Sequence, residues 1–217
     1  MSSAEPRSAT FLRRSAPSLR EISFSALYAL VVVVVTLLRD HDRVGLAHVA
    51  ATPAALTSGR PWLLLTSGLL VEGDLPLSVL GVVTLSLAVL VVCGSRVLWG
   101  AGILGHVGSA LGTYVVLASV STIAPERTAH LRHAPDYGVS AFVAGGLGAL
   151  AVGAWHRRAE WPLSRLWPVL AGACIGATVL MTLHVLDQFW FEHVPAFAIG
   201  GGVAFVLGGR APTVGEG

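Results

Sequence analysis

Apolar residues in this chain come in long unbroken runs separated by short polar stretches. A helix needs about 20 apolar residues to cross the hydrocarbon of a bilayer, within a range of roughly 17–25. Six stretches are candidates: Ile22–Leu38, Leu75–Val92, Val97–Ile123, Gly138–Trp155, Leu166–Leu186 and His193–Leu207. The third is long enough to tilt or protrude. The sixth is short and broken by glycine. Continuous runs point to helices, because barrel strands alternate apolar and polar residues. The pattern therefore predicts an all-α polytopic membrane protein. Residues 1–21 form a polar cytoplasmic tail expected to be disordered, 22–207 a six-helix membrane domain, and 208–217 a second cytoplasmic tail.

The connection between the first two runs is unusual. It holds 36 residues, Arg39 to Asp74, and includes "RPWLLLTSGLLVEGD". That stretch is too apolar for a solvated loop and too short to cross and return. It is expected to lie in the outer interface with Trp62 at headgroup depth, where amphipathic rings settle. The competing reading, an extra span, is disfavoured because the apolar run before Glu72 falls short of the ~17 residues required.

Composition agrees with lipid as the solvent. Apolar residues make up 54% of the chain and charged residues 12%, against about 25% charged in soluble domains. A net charge of +2 with scattered basic residues gives no sign of nucleic-acid binding. All 14 basic residues are arginine, and their distribution sets the topology. With the N-terminus inside, the inner segments hold nine (Arg7, Arg13, Arg14, Arg20, Arg96, Arg157, Arg158, Arg165, Arg210) and the outer segments five. The positive-inside rule then puts both termini in the cytoplasm. The two cysteines, Cys93 and Cys174, read as small buried apolar residues. Arginine-only basicity and much Ala, Gly and Val fit a GC-rich bacterial genome and a plasma membrane.

Two polar residues stand out against this background. In the alternating topology the fourth and sixth runs both pass from outside to inside. Ser140 lies near the start of the fourth and His193 begins the sixth, so at 1.5 Å rise per residue they fall at similar depth. Each tops a stripe of small residues: Ala144 and Gly148 below Ser140, and Ala196, Gly200 and Ala204 below His193. Residues three or four apart share a helix face, and such stripes let membrane helices approach backbone to backbone. A serine hydroxyl is a weak nucleophile until a histidine within hydrogen-bond reach takes its proton. The oxyanion formed on attack needs donors, and unpaired N–H groups at a helix start supply them. Gly138 and Val139 lead into that first turn and are expected to shape it. The arrangement suits hydrolysis of a peptide bond at the outer mouth of a bundle. Against this stands the ordinary role of a membrane serine, a small packing residue bonded to its own backbone, and of a histidine at a helix end, an interfacial one.

Three segments resemble the rhomboid intramembrane serine proteases. "YGVSAFVAGGLGAL" resembles that family's Gly-x-Ser segment at the start of its fourth helix, "EHVPAFAIGGGVAF" its sixth helix, and "RPWLLLTSGLLVEGD" its first loop leading to helix two. The resemblance covers roughly Ile22 to Leu207 and implies a six-transmembrane-helix rhomboid-like bundle with a long interfacial first loop. It also implies Ser140 as nucleophile and His193 as general base, with no metal or cofactor. The sequence departs from the family in two places. Ala141 stands where a glycine usually follows the serine. Leu77 and Gly81 stand where a histidine and an asparagine usually donate to the oxyanion. Ser78 is nearby, on a different face of the helix.

His106 sits mid-way through the third run among Gly105, Gly108, Ser109 and Gly112. It is expected to be a neutral histidine bonded to a neighbouring helix. Glu192, adjacent to His193, points about 100° away on a helix and is not part of the proposed chemistry. The histidines lack short ligand spacing, so no metal site is expected. Three functions follow in order: an intramembrane serine endopeptidase acting on a transmembrane protein substrate, a rhomboid-like pseudoprotease that binds transmembrane segments as clients, and a small channel or transporter subunit.

Overall fold

A computed structural model describes residues 17–71, 73–158, 171, 172, 175 and 190–208. Five long helices organise them: α1 (Leu19–Asp40), α2 (Leu75–Val92), α3 (Ser95–Ile123), α4 (Ser140–Arg157) and α5 (Trp190–Gly208). Three of these, α1, α2 and α3, are long and apolar enough to cross a membrane. No strand occurs among the described residues, only one isolated bridge between Ala51 and Asp136. The fifth apolar run, Leu166–Leu186, lies outside the described residues except for Ala171, Gly172 and Ile175. A Cβ added to Gly172 would stand 3.0 Å from Cβ of Ala88 on α2.

Local chemistry explains the boundaries. α1 begins at Leu19, three residues before the apolar run, because Ser18 and Glu21 form a reciprocal capping box that satisfies two orphan N–H groups. Glu21 also accepts the Ser95 hydroxyl at 2.6 Å, which ties the start of α1 to the start of α3. α2 keeps its expected limits. Asp74 accepts the N–H of Leu77 at 2.7 Å, and Pro76 lies in the first turn, where its missing N–H costs nothing. Gly94, at φ +91°, turns the chain from α2 into α3, a conformation that favours glycine.

The faces of α1 are sorted in an unusual way. Its buried positions are Ser25, Ala29, Val32 and Thr36, spaced four, three and four apart, while Phe24, Leu27, Leu30, Val34 and Leu37 are exposed. Small and polar side chains face the protein and large apolar ones face out, the reverse of a water-soluble amphipathic helix.

α4 is the centre of the bundle. It packs most extensively on α5, then on α3 and α2, while α1 lies outside against α2. Tyr28, Trp99 and Phe142 stack where α1, α3 and α4 converge, with Tyr28 and Phe142 centroids 4.8 Å apart. The first loop is folded onto this bundle as short helical turns, including Pro53–Thr57 and Leu63–Thr66. Leu63, Leu64, Leu70 and Val71 are buried, whereas Trp62 and Leu65 face outward. The loop is not an extra span.

Candidate active site

The start of α4 is set by the first loop. Ser67 and Leu70 present backbone carbonyls that accept the N–H groups of Gly138 at 3.0 Å and Val139 at 2.9 Å. Gly138 has φ +140°, and a Cβ there would stand 3.3 Å from Ser140 Oγ, so glycine is required for this approach. Helical geometry therefore starts at Ser140 and not at Gly138, where the apolar run begins. The N–H groups of Gly138 and Val139 are engaged and shape the approach to the helix. The first N–H groups without a backbone acceptor among the described residues are those of Ser140, Ala141 and Phe142.

The small-residue stripes lie in one seam. A Cβ on Gly148 would overlap the Phe197 carbonyl oxygen, and one on Gly200 would overlap that of Gly145. Ala141, Ala144 and Ala196 form a buried cluster, and Ala204 is buried in the main core with Leu150 and Val143. α3 joins the seam through Gly105, whose added Cβ would meet Gly145 Cα at 3.1 Å and the Ala196 oxygen at 3.3 Å. The helices run parallel here. Seam contacts join residues 49 to 55 positions apart, Gly148 with Phe197 and Gly201 and Gly145 with Gly200, and the 53 positions between Ser140 and His193 fall within that range. The register thus sets the first turns of α4 and α5 at one level with Ser140 and His193 in corresponding positions, both partly buried. Among the described residues, no hydrogen bond joins Ser140 to His193.

α2 approaches α4 from another side, also in parallel. Leu85 lies against Gly146, and Val92 against Gly153, a step of 61 residues. Ser78, Val82, Leu85, Val89 and Val92 are all buried, at helical spacing, and form the inward stripe of α2. The step that pairs Leu85 with Gly146 sets Ser78 level with Val139, beside Ser140. Its hydroxyl is enclosed, at 1% residue exposure, and has no hydrogen-bond partner among the described residues. From sequence, Ser78 is a candidate to shape the oxyanion site, on a helix face different from that of Leu77 and Gly81. The packing places it on the stripe turned to α4, with Leu77 only half-buried beside it.

Two side-chain links at this level were not legible in the sequence. Tyr114 donates its hydroxyl to Asp136 at 2.8 Å, and Asp136 exchanges both backbone hydrogen bonds with Ala51 at 2.9 and 2.8 Å. His106 Nε2 lies 3.0 Å from Ser67 Oγ. The partner of His106 is therefore the first loop and not a neighbouring long helix. Glu192 and Asp136 lie close enough for their carboxyl groups to interact. No group of three or more metal-ligating side chains occurs among the described residues. No family model, curated protein or solved structure matches the chain.

Proposed function

We propose that the chain is a rhomboid-like intramembrane serine endopeptidase. In this reading it is a six-helix bundle of a plasma membrane, with both termini cytoplasmic, that cleaves membrane-anchored proteins near the outer face. The observation that carries the proposal is the parallel packing of α4 on α5, whose facing residues lie 49 to 55 positions apart, a range that includes the 53 between Ser140 and His193. Ser140 Oγ attacks the substrate carbonyl while His193 accepts its proton. The tetrahedral oxyanion is received by the unpaired N–H groups at the start of α4, with Ser78 Oγ as the donor from α2. His193 then protonates the leaving amine, and water hydrolyses the acyl-enzyme by the same route in reverse. Substrates are transmembrane helices that unwind at small or helix-breaking residues, because a helical peptide bond cannot reach the serine. The chemistry needs no metal or cofactor.

A fluorophosphonate probe applied to the protein in detergent tests this reading. Wild type becomes labelled and Ser140→Ala does not, while both unfold at the same temperature. Absence of labelling in folded wild type refutes it.

A second reading is the pseudoprotease that binds transmembrane segments without cutting them. It is favoured by the absence of a Ser140–His193 hydrogen bond among the described residues and by Leu77 and Gly81, which offer no side-chain donor. Retained binding of a transmembrane peptide with no labelling and no cleavage identifies this case.

A further inference from the structure

The first loop is fastened from several directions just where it meets Ser140. Tyr28 of α1 donates its hydroxyl to the Gly68 carbonyl at 2.9 Å. Thr36 of α1 accepts the Val71 N–H at 3.1 Å. From α3 the only side chain hydrogen-bonded to Ser67 among the described residues is His106. Ser67 in turn holds the Gly138 N–H through its own carbonyl, two residues before Ser140. We infer that His106 is a positioning residue: through Ser67 it clamps the loop that fixes the approach to α4, and so sets where Ser140 Oγ points. The inference rests on the reading of Ser140 as the reacting group.

The hydrogen-bond inventory assigns the proton. Ser67 Oγ lies 3.0 Å from His106 Nε2 and 3.3 Å from the Leu64 carbonyl. Among the described residues, His106 Nδ1 is buried with no partner. A buried N–H without an acceptor is rarer in folded proteins than an acceptor left unfilled. The neutral ring therefore carries its proton on Nε2, donates it to Ser67 Oγ, and leaves the Ser67 hydroxyl to donate to Leu64. The chain of donors runs from α3 through Ser67 to the loop backbone, and both side chains are sealed from solvent, at 6% and 0% exposure. Gly68 completes the clamp. A Cβ there would meet the imidazole at 3.1 Å, so only glycine lets the ring lie this close to the loop.

The test uses the full chain in detergent and two readouts, both taken well below the unfolding temperature. The first is amide hydrogen exchange at Gly138 and Val139. The second is the rate of fluorophosphonate labelling at Ser140. His106→Leu and Ser67→Ala are each expected to speed exchange at those two amides about tenfold, the equivalent of one net hydrogen bond, and to slow labelling by a similar factor. His106→Gln, which retains an N–H where Nε2 stood, and Ser67→Thr, which retains the hydroxyl, restore both readouts to near wild type. A general packing role would not distinguish Gln from Leu. Unchanged exchange at Gly138 and Val139 in folded His106→Leu or Ser67→Ala overturns the inference, as does failure of His106→Gln to rescue. If wild type is not labelled at all, the endopeptidase reading fails, and the exchange measurement still decides the clamp.

Discussion

Two glycines on α5, two residues apart, are predicted to respond to alanine in opposite directions. At Gly200 the new methyl would overlap the Gly145 carbonyl oxygen, with the Gly145 carbonyl carbon and Cα also inside contact distance. Every atom it meets is backbone, so no rotamer change relieves the clash and the two helices must separate. Adding a methylene to a well-packed core costs about 1–3 kcal/mol, and a site with no soft neighbour belongs at the upper end. Widening the seam by about 0.5–1 Å also forfeits a quarter to a half of each dispersion contact along it. At Gly202 an added Cβ meets nothing within 4 Å among the described residues. There the exchange brings only the intrinsic preference of alanine for helix, about 0.8–1 kcal/mol in its favour. With roughly 2–4 °C per kcal/mol for a chain of this size, Gly200→Ala lowers Tm by about 6–12 °C while Gly202→Ala raises it slightly. Thermal unfolding in micelles, followed by the fluorescence of the six tryptophans, measures both. If Gly200→Ala is as stable as Gly202→Ala, the contact between α4 and α5 is not backbone to backbone, and the register that relates Ser140 to His193 loses its basis.

Other outcomes follow from single groups. Ser78→Ala removes an enclosed hydroxyl that has no partner among the described residues, so it raises Tm, since such a group costs roughly 1–3 kcal/mol. If Ser78 is the α2 donor, the same change slows Ser140 labelling about 10²–10³-fold, and a variant that is both more stable and equally reactive removes it from the mechanism. Gly138→Ala forces an L-residue to φ +140° and costs about 1–3 kcal/mol, seen as a lower Tm and faster exchange at Val139. Thr36→Val leaves the Val71 N–H without its acceptor and destabilises by about 1–3 kcal/mol, whereas Thr36→Ser is close to neutral. Ser18→Ala breaks the capping box at a cost of about 1 kcal/mol, read as fraying of the first turn of α1 by hydrogen exchange.

Periodic features were legible in the sequence, and long-range pairings were not. The limits of α2 followed from its apolar run, Leu75–Val92, and the helix keeps them. The stripes at Ala144, Gly148, Ala196, Gly200 and Ala204 followed from helical spacing alone, and the structure buries all five. The start of α1 was misjudged because a polar capping box lies outside any apolar run. The start of α4 was misjudged because Gly138 and Val139 are apolar but have their N–H groups committed to the loop. Glycines around His106 looked alike, yet Gly105 meets two helices while Gly112 meets nothing within 4 Å. Nothing local distinguishes them. The Ser67–His106 and Tyr114–Asp136 links span 39 and 22 residues, and only the folded chain brings such partners together.

The same physics that holds the bundle together also sets the candidate site. Lipid gives helices no hydrophobic reason to associate, so contact must come from close backbone approach and from hydrogen bonds. Here the close approach lies along α3, α4 and α5, at Gly105, Gly145 and Gly200, and it sets the level at which α4 and α5 begin. It leaves their rotation and the lead-in to α4 unspecified, because a stripe of hydrogens and methyls offers little to oppose rotation about the helix axis. The hydrogen bonds supply that constraint from the loop side, through His106 to Ser67 and from Ser67 and Leu70 to the two residues before Ser140. Depth is therefore governed by the glycine seam and aim by the loop. Damage to the seam should lower stability and reactivity together, while damage to the clamp should lower reactivity with a smaller loss of stability. A clamp variant that loses stability in proportion to reactivity, as a seam variant does, would show that the two are one element.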